Sequence, residues 1–285
     1  MTLFGRIFRK LLFGGIFLFF IAGFSYYVFK AYFPTLPTCV DNIQNQGEDG
    51  VDCGNVCNIE CLPSSPPDDT KPIEVAWARV INSDAGVYDL AAKIINSNLY
   101  WGVAEFKYDF VARDSNGNVV IEKSGSSYLL PDTYDYIIIP SIKTDKIPVN
   151  PAELNIIKEG QKWASVSSVY NNLSLSLSFR EKRYVAKNEN GLPSVSAILT
   201  NATTYDFDKI DIKVVLFDEN NEPVAVNVSD RRTMRSGEEQ LFRLFWNTAL
   251  QQEVFNTDFK ATTNIFDSQN FMSRFGTGDK IREYR

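Results

Sequence analysis

The chain of 285 residues contains no histidine. A Ser-His-Asp or Cys-His hydrolase, an HExxH metalloprotease and a His-ligated metal centre are therefore excluded as they are usually built. Basic charge is also scarce: 29 Lys and Arg stand against 35 Asp and Glu, for a formal net charge of −6 and a pI near 4.9. Nucleic-acid binders carry a basic patch as their electrostatic footprint, so no nucleic-acid partner is expected. Proline (12) and glycine (16) are too few for a collagen-like or low-complexity chain, and 44% hydrophobic with 13% aromatic residues is too apolar for a disordered one. No Gly-rich phosphate loop follows a strand, and Ser126 and Ser127 stand outside any G-x-S-x-G elbow. What remains is a foldable chain long enough for one large domain or two of about 100 residues. It carries no catalytic set, and the expectation is that it is not an enzyme.

One long uncharged run is present. Leu11 to Phe29 (LLFGGIFLFFIAGFSYYVF) is interrupted only by Gly14, Gly15, Gly23 and Ser25. Helical residues over this run span roughly 28 Å, close to the hydrocarbon core of about 30 Å. Arg6, Arg9 and Lys10 precede it and Lys30 follows. The positive-inside rule then leaves residues 1–10 in the cytoplasm, residues 11–32 in membrane lipid and the remainder outside. Tyr26, Tyr27 and Tyr32 fall where an interfacial aromatic belt would lie. A cleaved secretory signal competes, because Ala22-Gly23 offers small residues near a possible cut. Against it, no A-x-A pattern occurs and the run exceeds the usual 7–15-residue h-region. The expectation is an uncleaved, single-pass signal anchor. Residues 1–30 hold four cations and no acid, so the exported part carries −6 − 4 = −10.

All four cysteines fall in residues 33–61: Cys39, Cys53, Cys57 and Cys61. In an oxidising compartment an even number in a short Gly/Asn/Asp-rich stretch reads as two disulfides, with three connectivities open. A four-thiolate zinc site is the alternative, although a CxxC pair is lacking. Calcium is another, since Asp41, Glu48, Asp49 and Asp52 supply hard oxygen ligands without an EF-hand pattern. The segment from Cys39 to Cys57 (CVDNIQNQGEDGVDCGNVC) resembles a short module of many exported bacterial proteins, of general form C-x-D-G-x-x-N-x-x-E-x-x-x-D-C-G-G-x-C. Asn42 stands where Gly is commoner, and Asn55 replaces the second Gly after Cys53. The resemblance implies a surface location. Residues 62–72, with four prolines, then form a stiff linker.

From Ile73 the sequence turns to β-branched and aromatic runs. Leu173 to Phe179 alternates with period two, as do Phe106 to Phe110 and Ile210 to Val214. Asn116-Gly117, Asn190-Gly191 and Asn220-Asn221 are turn signals between them. A short helix is expected only around Pro151–Ile157. An internal repeat is present. Leu90, Ala92, Ile94 and Asn96 match Val195, Ala197, Leu199 and Asn201, and Phe106, Tyr108 and Phe110 match Ile210, Ile212 and Val214. The turns Asp114–Gly117 and Asp218–Asn221 keep the register. The fold class expected is all-β: two tandem β-sandwiches over residues 73–167 and 168–271, with a polar tail over 272–285. A linker around Ser165–Ser168 would let each unfold on its own. Val214-Val-Leu-Phe-Asp218 and, more loosely, Phe110-Val-Ala-Arg-Asp114 resemble the FxLYD-type and late-embryogenesis-abundant-type domains. That resemblance implies an immunoglobulin-like sandwich on a bacterial surface and carries no catalytic residues.

The remaining polar chemistry reads as surface. Asp109 and Asp211 alternate with apolar residues, which places them on solvated strand faces. Trp77, Trp101, Trp163 and Trp246 read as packing residues, one or two of which could instead form a recognition surface. Tyr100-Trp101, in the loop after Asn96, is the best candidate recognition surface. Arg231, Arg232 and Arg235 form a basic cluster in an acidic chain that fits an anionic partner. Asn172, Asn201 and Asn227 head glycosylation sequons. The function expected is a membrane-anchored extracytoplasmic protein presenting two domains for binding, adhesion or envelope scaffolding, with a protein or polysaccharide partner. A subunit of a secretion or pilus assembly, and a cell-wall hydrolase using two carboxylates, are the alternatives.

Overall fold

The computed structural model describes residues 3–32, 47–49, 54–57, 66, 68–166 and 176–274, and it divides into two compact units at Leu62/Pro63. The first unit contains helix α1 (Leu3–Tyr32). Its side chains from Leu12 to Tyr27 are exposed around the whole circumference. Among the described residues no helix is long and apolar enough to cross a membrane. Those described side chains stop at positions 12–28, inside the Leu11–Phe29 run.

The cysteine segment is described over 47–49 and 54–57. Gly54 has φ +114°, and a Cβ there would stand 2.5 Å from Asp49 Oδ2 and 2.7 Å from its backbone nitrogen. Only glycine fits so close an approach. The turn is closed by Asn55 N donating to Asp49 Oδ2 (3.1 Å) and Cys57 N donating to Gly54 O (3.0 Å). Glu48 is buried, with Oε1 3.3 Å from Cys57 Sγ. Cys57 is disulfide-bonded, and Cys39, Cys53 and Cys61 lie outside the described residues.

The second unit is built of antiparallel strands. Its first half contains β1 (Glu74–Asp84), β2 (Val87–Asn96), β3 (Trp101–Arg113), β4 (Val119–Leu129), β5 (Thr133–Lys143) and β6 (Val149–Ser165). The second half contains β7 (Leu177–Val185), β8 (Ser194–Asn201), β9 (Tyr205–Phe217), β10 (Pro223–Met234), β11 (Glu239–Phe245), β12 (Asn256–Thr262) and β13 (Phe271–Arg274). In the first half one sheet has the order β1-β2-β5 and the other β4-β3-β6. The second half repeats this as β7-β8-β11 and β10-β9-β12, with β13 added to β9. Each half is a β-sandwich whose sheets share one core.

Period-two alternation builds both cores. Phe106, Tyr108, Phe110 and Ala112 point inward from β3, and Ile210, Ile212, Val214 and Leu216 do so from β9. The repeat persists in the hydrogen bonds. Asn96 is buried, and its Nδ2 donates to Trp101 O (2.7 Å) and Leu130 O (3.0 Å). Asn201 is buried in the equivalent place and donates to Tyr205 O (2.9 Å), Arg235 O (3.0 Å) and Met234 O (3.4 Å). Each amide ties the start of the central strand to the end of the next hairpin through backbone carbonyls. The turns match too: Asp114 Oδ1 accepts from Asn116 N and Asn118 N, and Asp218 Oδ1 from Asn220 N and Glu222 N.

One expectation is corrected. Residues Pro151–Ile157 lie in β6, not in a helix. Ala152 and Leu154 are buried while Pro151, Glu153 and Asn155 are exposed, so period-two burial overrides the helix propensity of Ala, Glu and Leu. The halves also meet. A third core of Ile81, Ala91, Tyr136, Val215, Phe217 and Val226, flanked by Trp77, Tyr134 and Ile138, joins the outer face of β1-β2-β5 to the outer face of β10-β9-β12.

Candidate functional site

The joint between the halves concentrates the polar chemistry of the β unit. Asp135 is buried on β5, and its Oδ2 accepts from Lys213 Nζ of β9 at 2.7 Å. Beside it, Tyr134 and Tyr136 donate to Asp258 Oδ2 of β12 at 2.9 and 2.6 Å. Burial, reinforced by the Asp258 carboxylate, pushes both phenols well above their ordinary range. Tyr128 is raised likewise by burial and then by Asp211. Lys260 Nζ donates to Thr133 Oγ1 (2.9 Å) and lies 4.4 Å from the Tyr134 ring centroid. Desolvation lowers its ammonium below the usual lysine range. These groups satisfy one another, so the joint is a structural network rather than an open site.

An open site lies at its rim. A groove of about 720 Å³ is lined by the β1–β2 hairpin, Ile147–Asn150, the Asp218–Val224 turn and the loop Thr248–Gln252. It therefore takes walls from both sandwiches. Arg79 bridges it, with Nε 2.8 Å from Glu222 Oε2 and Nη2 3.1 Å from Glu222 Oε1. The bidentate contact lowers the Glu222 carboxyl and raises the Arg79 guanidinium, hydrogen bonding being the main cause in each. Thr248 Oγ1 donates to Ser83 O at 2.7 Å across the same joint. Asn150 clamps the floor by accepting from Val80 N (2.7 Å) and donating to Val80 O (2.9 Å). Asn82, Gln251 and Gln252 are exposed on the walls, and Ile147 is 72% exposed.

The residues singled out from the sequence are scattered. Tyr100 is 50% exposed, but Trp101 is 7% exposed and belongs to the core, because it begins β3 on its inward face. The pair therefore does not form one recognition surface. Arg231 stacks over Phe242 at 5.8 Å, and Arg232 pairs with Asp208 (3.0 Å) and Asp230 (3.1 Å). Arg235 is exposed nearby. A second groove of about 400 Å³ takes in Arg232, Asp208, Lys209 and Asp211, and Lys209 pairs with Asp211 at 2.6 Å. Asp109 accepts from Ser124 Oγ at 2.7 Å. Asn201 heads a sequon, yet its buried amide nitrogen already donates to three carbonyls and is closed to a glycan. Asn227 is half-buried and donates to Phe245 O, and Asn172 lies outside the described residues. Trp163 packs against the first core, and the buried Trp246 donates to Val226 O at 3.1 Å. Among the described residues no cluster of three Cys, Asp or Glu could hold a metal. Asp41 and Asp52 of the calcium reading are outside them.

The groove was not visible in the sequence. Its residues come from four separated segments, and nothing in the sequence singles out Glu222 over Asp84 or Asp218 as the partner of Arg79. No family model matches the chain, and no curated protein matches it.

Proposed function

We propose that the chain is a single-pass, membrane-anchored extracytoplasmic binding module. Residues 11–32 cross the bilayer with the N-terminus inside, and two immunoglobulin-like sandwiches stand outside on the cysteine-linked stalk. The observation that carries this reading is the uncharged Leu11–Phe29 run, which lies within α1 and whose described side chains are exposed from Leu12 to Tyr27. Such a helix is stable in hydrocarbon and costly in water. The sandwiches support the binding half of the reading: the groove draws side-chain amides, a hydroxyl and apolar surface from two halves that share a third core. The carboxylates there are already engaged. Glu222 is held by Arg79, Asp218 by its own turn and Asp84 by Ala85 N. This favours binding over carboxylate hydrolysis, which needs a facing pair with room for water.

The test uses the full chain in its native membrane. Protease added outside spheroplasts should leave a short protected fragment beginning at or near Met1. Mature protein starting near Phe24 would remove the anchor. Crosslinking in intact cells then identifies what occupies the groove, and that adduct should be lost on Gln251→Arg with Asn82→Arg.

A further inference from the structure

We infer that copies of this chain associate head to tail, the outer face of β7-β8-β11 in one copy docking on the outer face of β4-β3-β6 in the next. The inference goes beyond the binding role and does not depend on the membrane anchor. Its basis is the way the repeat uses its own faces. Within one chain the outer face of the first half's β1-β2-β5 sheet docks on the outer face of the second half's β10-β9-β12 sheet. The contact joins different surfaces of equivalent domains, so it is heterologous. It leaves the β7-β8-β11 outer face and the β4-β3-β6 outer face around Glu122 and Glu153 outside the joint, the latter sheet meeting the second half at Tyr128.

The unused faces are chemically complementary. On the docked β1-β2-β5 face, the row across the sheet is Arg79–Ala91–Ile138. Its equivalent on β7-β8-β11 is Arg183–Ser196–Arg243. Arg183 and Arg243 are exposed and make no ion pair among the described residues. Leu241 (60% exposed) and Phe245 (51%) flank them with unburied apolar surface. On the docked β10-β9-β12 face the row is Val226–Val215–Asp258. Its equivalent on β4-β3-β6 is Glu122–Val111–Glu153, with Glu122 exposed and Glu153 exposed and paired with the half-buried Arg113.

In the chain's own joint, Ala91 and Tyr136 pack with Val215 and Val226. Carrying that placement over to two copies sets the arginine row above the glutamate row. Two positive side chains meet two negative ones around the half-buried Ser196 and the buried Val111. Arg79 supplies the precedent, since its guanidinium is already gripped by a carboxylate across the joint. The permanent joint has an apolar centre, whereas the proposed one is charged. It is therefore weaker and salt-sensitive, the character of a reversible contact. Because the contact is heterologous and uses both ends, nothing in it stops at two copies.

Sedimentation velocity of the purified full-length chain tests this. The expected result is concentration-dependent association that weakens as salt is raised. Arg183→Glu with Arg243→Glu in one variant, and Glu122→Arg with Glu153→Arg in another, should each lower the association constant about a hundredfold, since like-charge juxtaposition costs several kcal/mol. Mixing the two variants should restore it, because each then presents the charge the other lacks. All four positions are on outer faces, and unchanged thermal melting of each variant confirms the fold. A single monomeric species at every concentration and salt overturns the proposal. Association that ignores the substitutions, or that mixing does not restore, overturns it equally.

Discussion

The two halves of the β unit are near-copies inside and unlike outside. Inward positions keep their chemistry: Phe110 and Val214, Leu90 and Val195, Asn96 and Asn201 are equivalent and buried. Outward positions do not. Where β9 and β10 offer Val215, Phe217 and Val226 to the joint, β3 and β4 carry Val111, Arg113 and Glu122. Each sandwich needs its own core, so alternating apolar residues persist in both. A face is apolar only where another face covers it. The repeat therefore separates two requirements that a single domain would confound: inward residues specify the sandwich, and outward residues specify what it meets.

The largest effects should come from the inward set. Phe110 has no exposed surface, and Phe110→Ala should cost roughly 3–5 kcal/mol through lost burial and a residual cavity. Val214→Ala removes fewer atoms and should cost about 2 kcal/mol. Because the third core joins the halves, calorimetry should show one shared transition shifted by either change. Two resolved transitions, with each substitution moving only one, would restore the picture of independent domains.

An exchange of outward residues sharpens the comparison next. Val226→Glu places in the covered face the residue that the free face carries, and it buries a carboxylate without a designed partner. Roughly 3 kcal/mol of destabilisation is expected. The reciprocal Glu122→Val alters an exposed position and should stay within about 0.5 kcal/mol. Urea titrations of both variants measure the asymmetry. Equal costs would mean that the joint contributes little to stability.

Much of the inward set was legible in the sequence. Period two in Phe106–Phe110 and Ile210–Val214, the paired Asn96 and Asn201, and the matched Asp turns were all read as a tandem repeat, and the paired sheets have the same strand order in each half. The joint was not legible. Trp77, Tyr136, Phe217 and Val226 come from four strands, and nothing local distinguishes an outward valine that is covered from one that is not. The Pro151–Ile157 stretch misled because Ala, Glu and Leu favour a helix locally, whereas pairing with β3 fixes the strand. Trp101 packs, as one reading of the sequence had it, but its pairing with Tyr100 as a surface misled, because Leu99 and Tyr100 are exposed and the turn to an inward face falls between residues 100 and 101.

Alkaline titration perturbs the joint more gently. Tyr128, Tyr134 and Tyr136 all have phenols raised by burial and then by nearby carboxylates. In the unfolded chain they ionise near pH 10. Above that pH the unfolded state binds fewer protons than the folded one, so stability present below about pH 10 is lost as pH rises. Lys260 acts in the opposite sense. Its folded pKa is lowered by desolvation, so the folded state releases that proton first and gains stability up to about pH 10.5. One lysine opposes three tyrosines, and the net expectation is a fall. Tyr134→Phe with Tyr136→Phe should flatten the slope of melting temperature against pH above about 10. An unchanged slope would show that these phenols are not what the alkaline limb reports.

A small effect belongs to the pair that bridges the groove. Arg79 and Glu222 meet in a bidentate contact, but their side chains retain 26% and 52% of their exposure. Solvent screens such a pair, and exposed pairs are worth at most about 1 kcal/mol. A double-mutant cycle of Arg79→Ala and Glu222→Ala should therefore give a coupling of about 0.5–1 kcal/mol, falling as salt rises. Arg79→Lys should lose most of that coupling, because a single ammonium cannot make both contacts of the fork. Glu222 is depressed by this contact, so its contribution is present above its ordinary carboxyl range and fades as pH falls through the lowered value. The joint itself should survive these changes, since Phe217 and Tyr136 hold it. A coupling near zero at low salt would mean that Arg79 merely rests beside Glu222. It would also remove the precedent by which Arg183, its counterpart in the second half, is expected to meet a carboxylate.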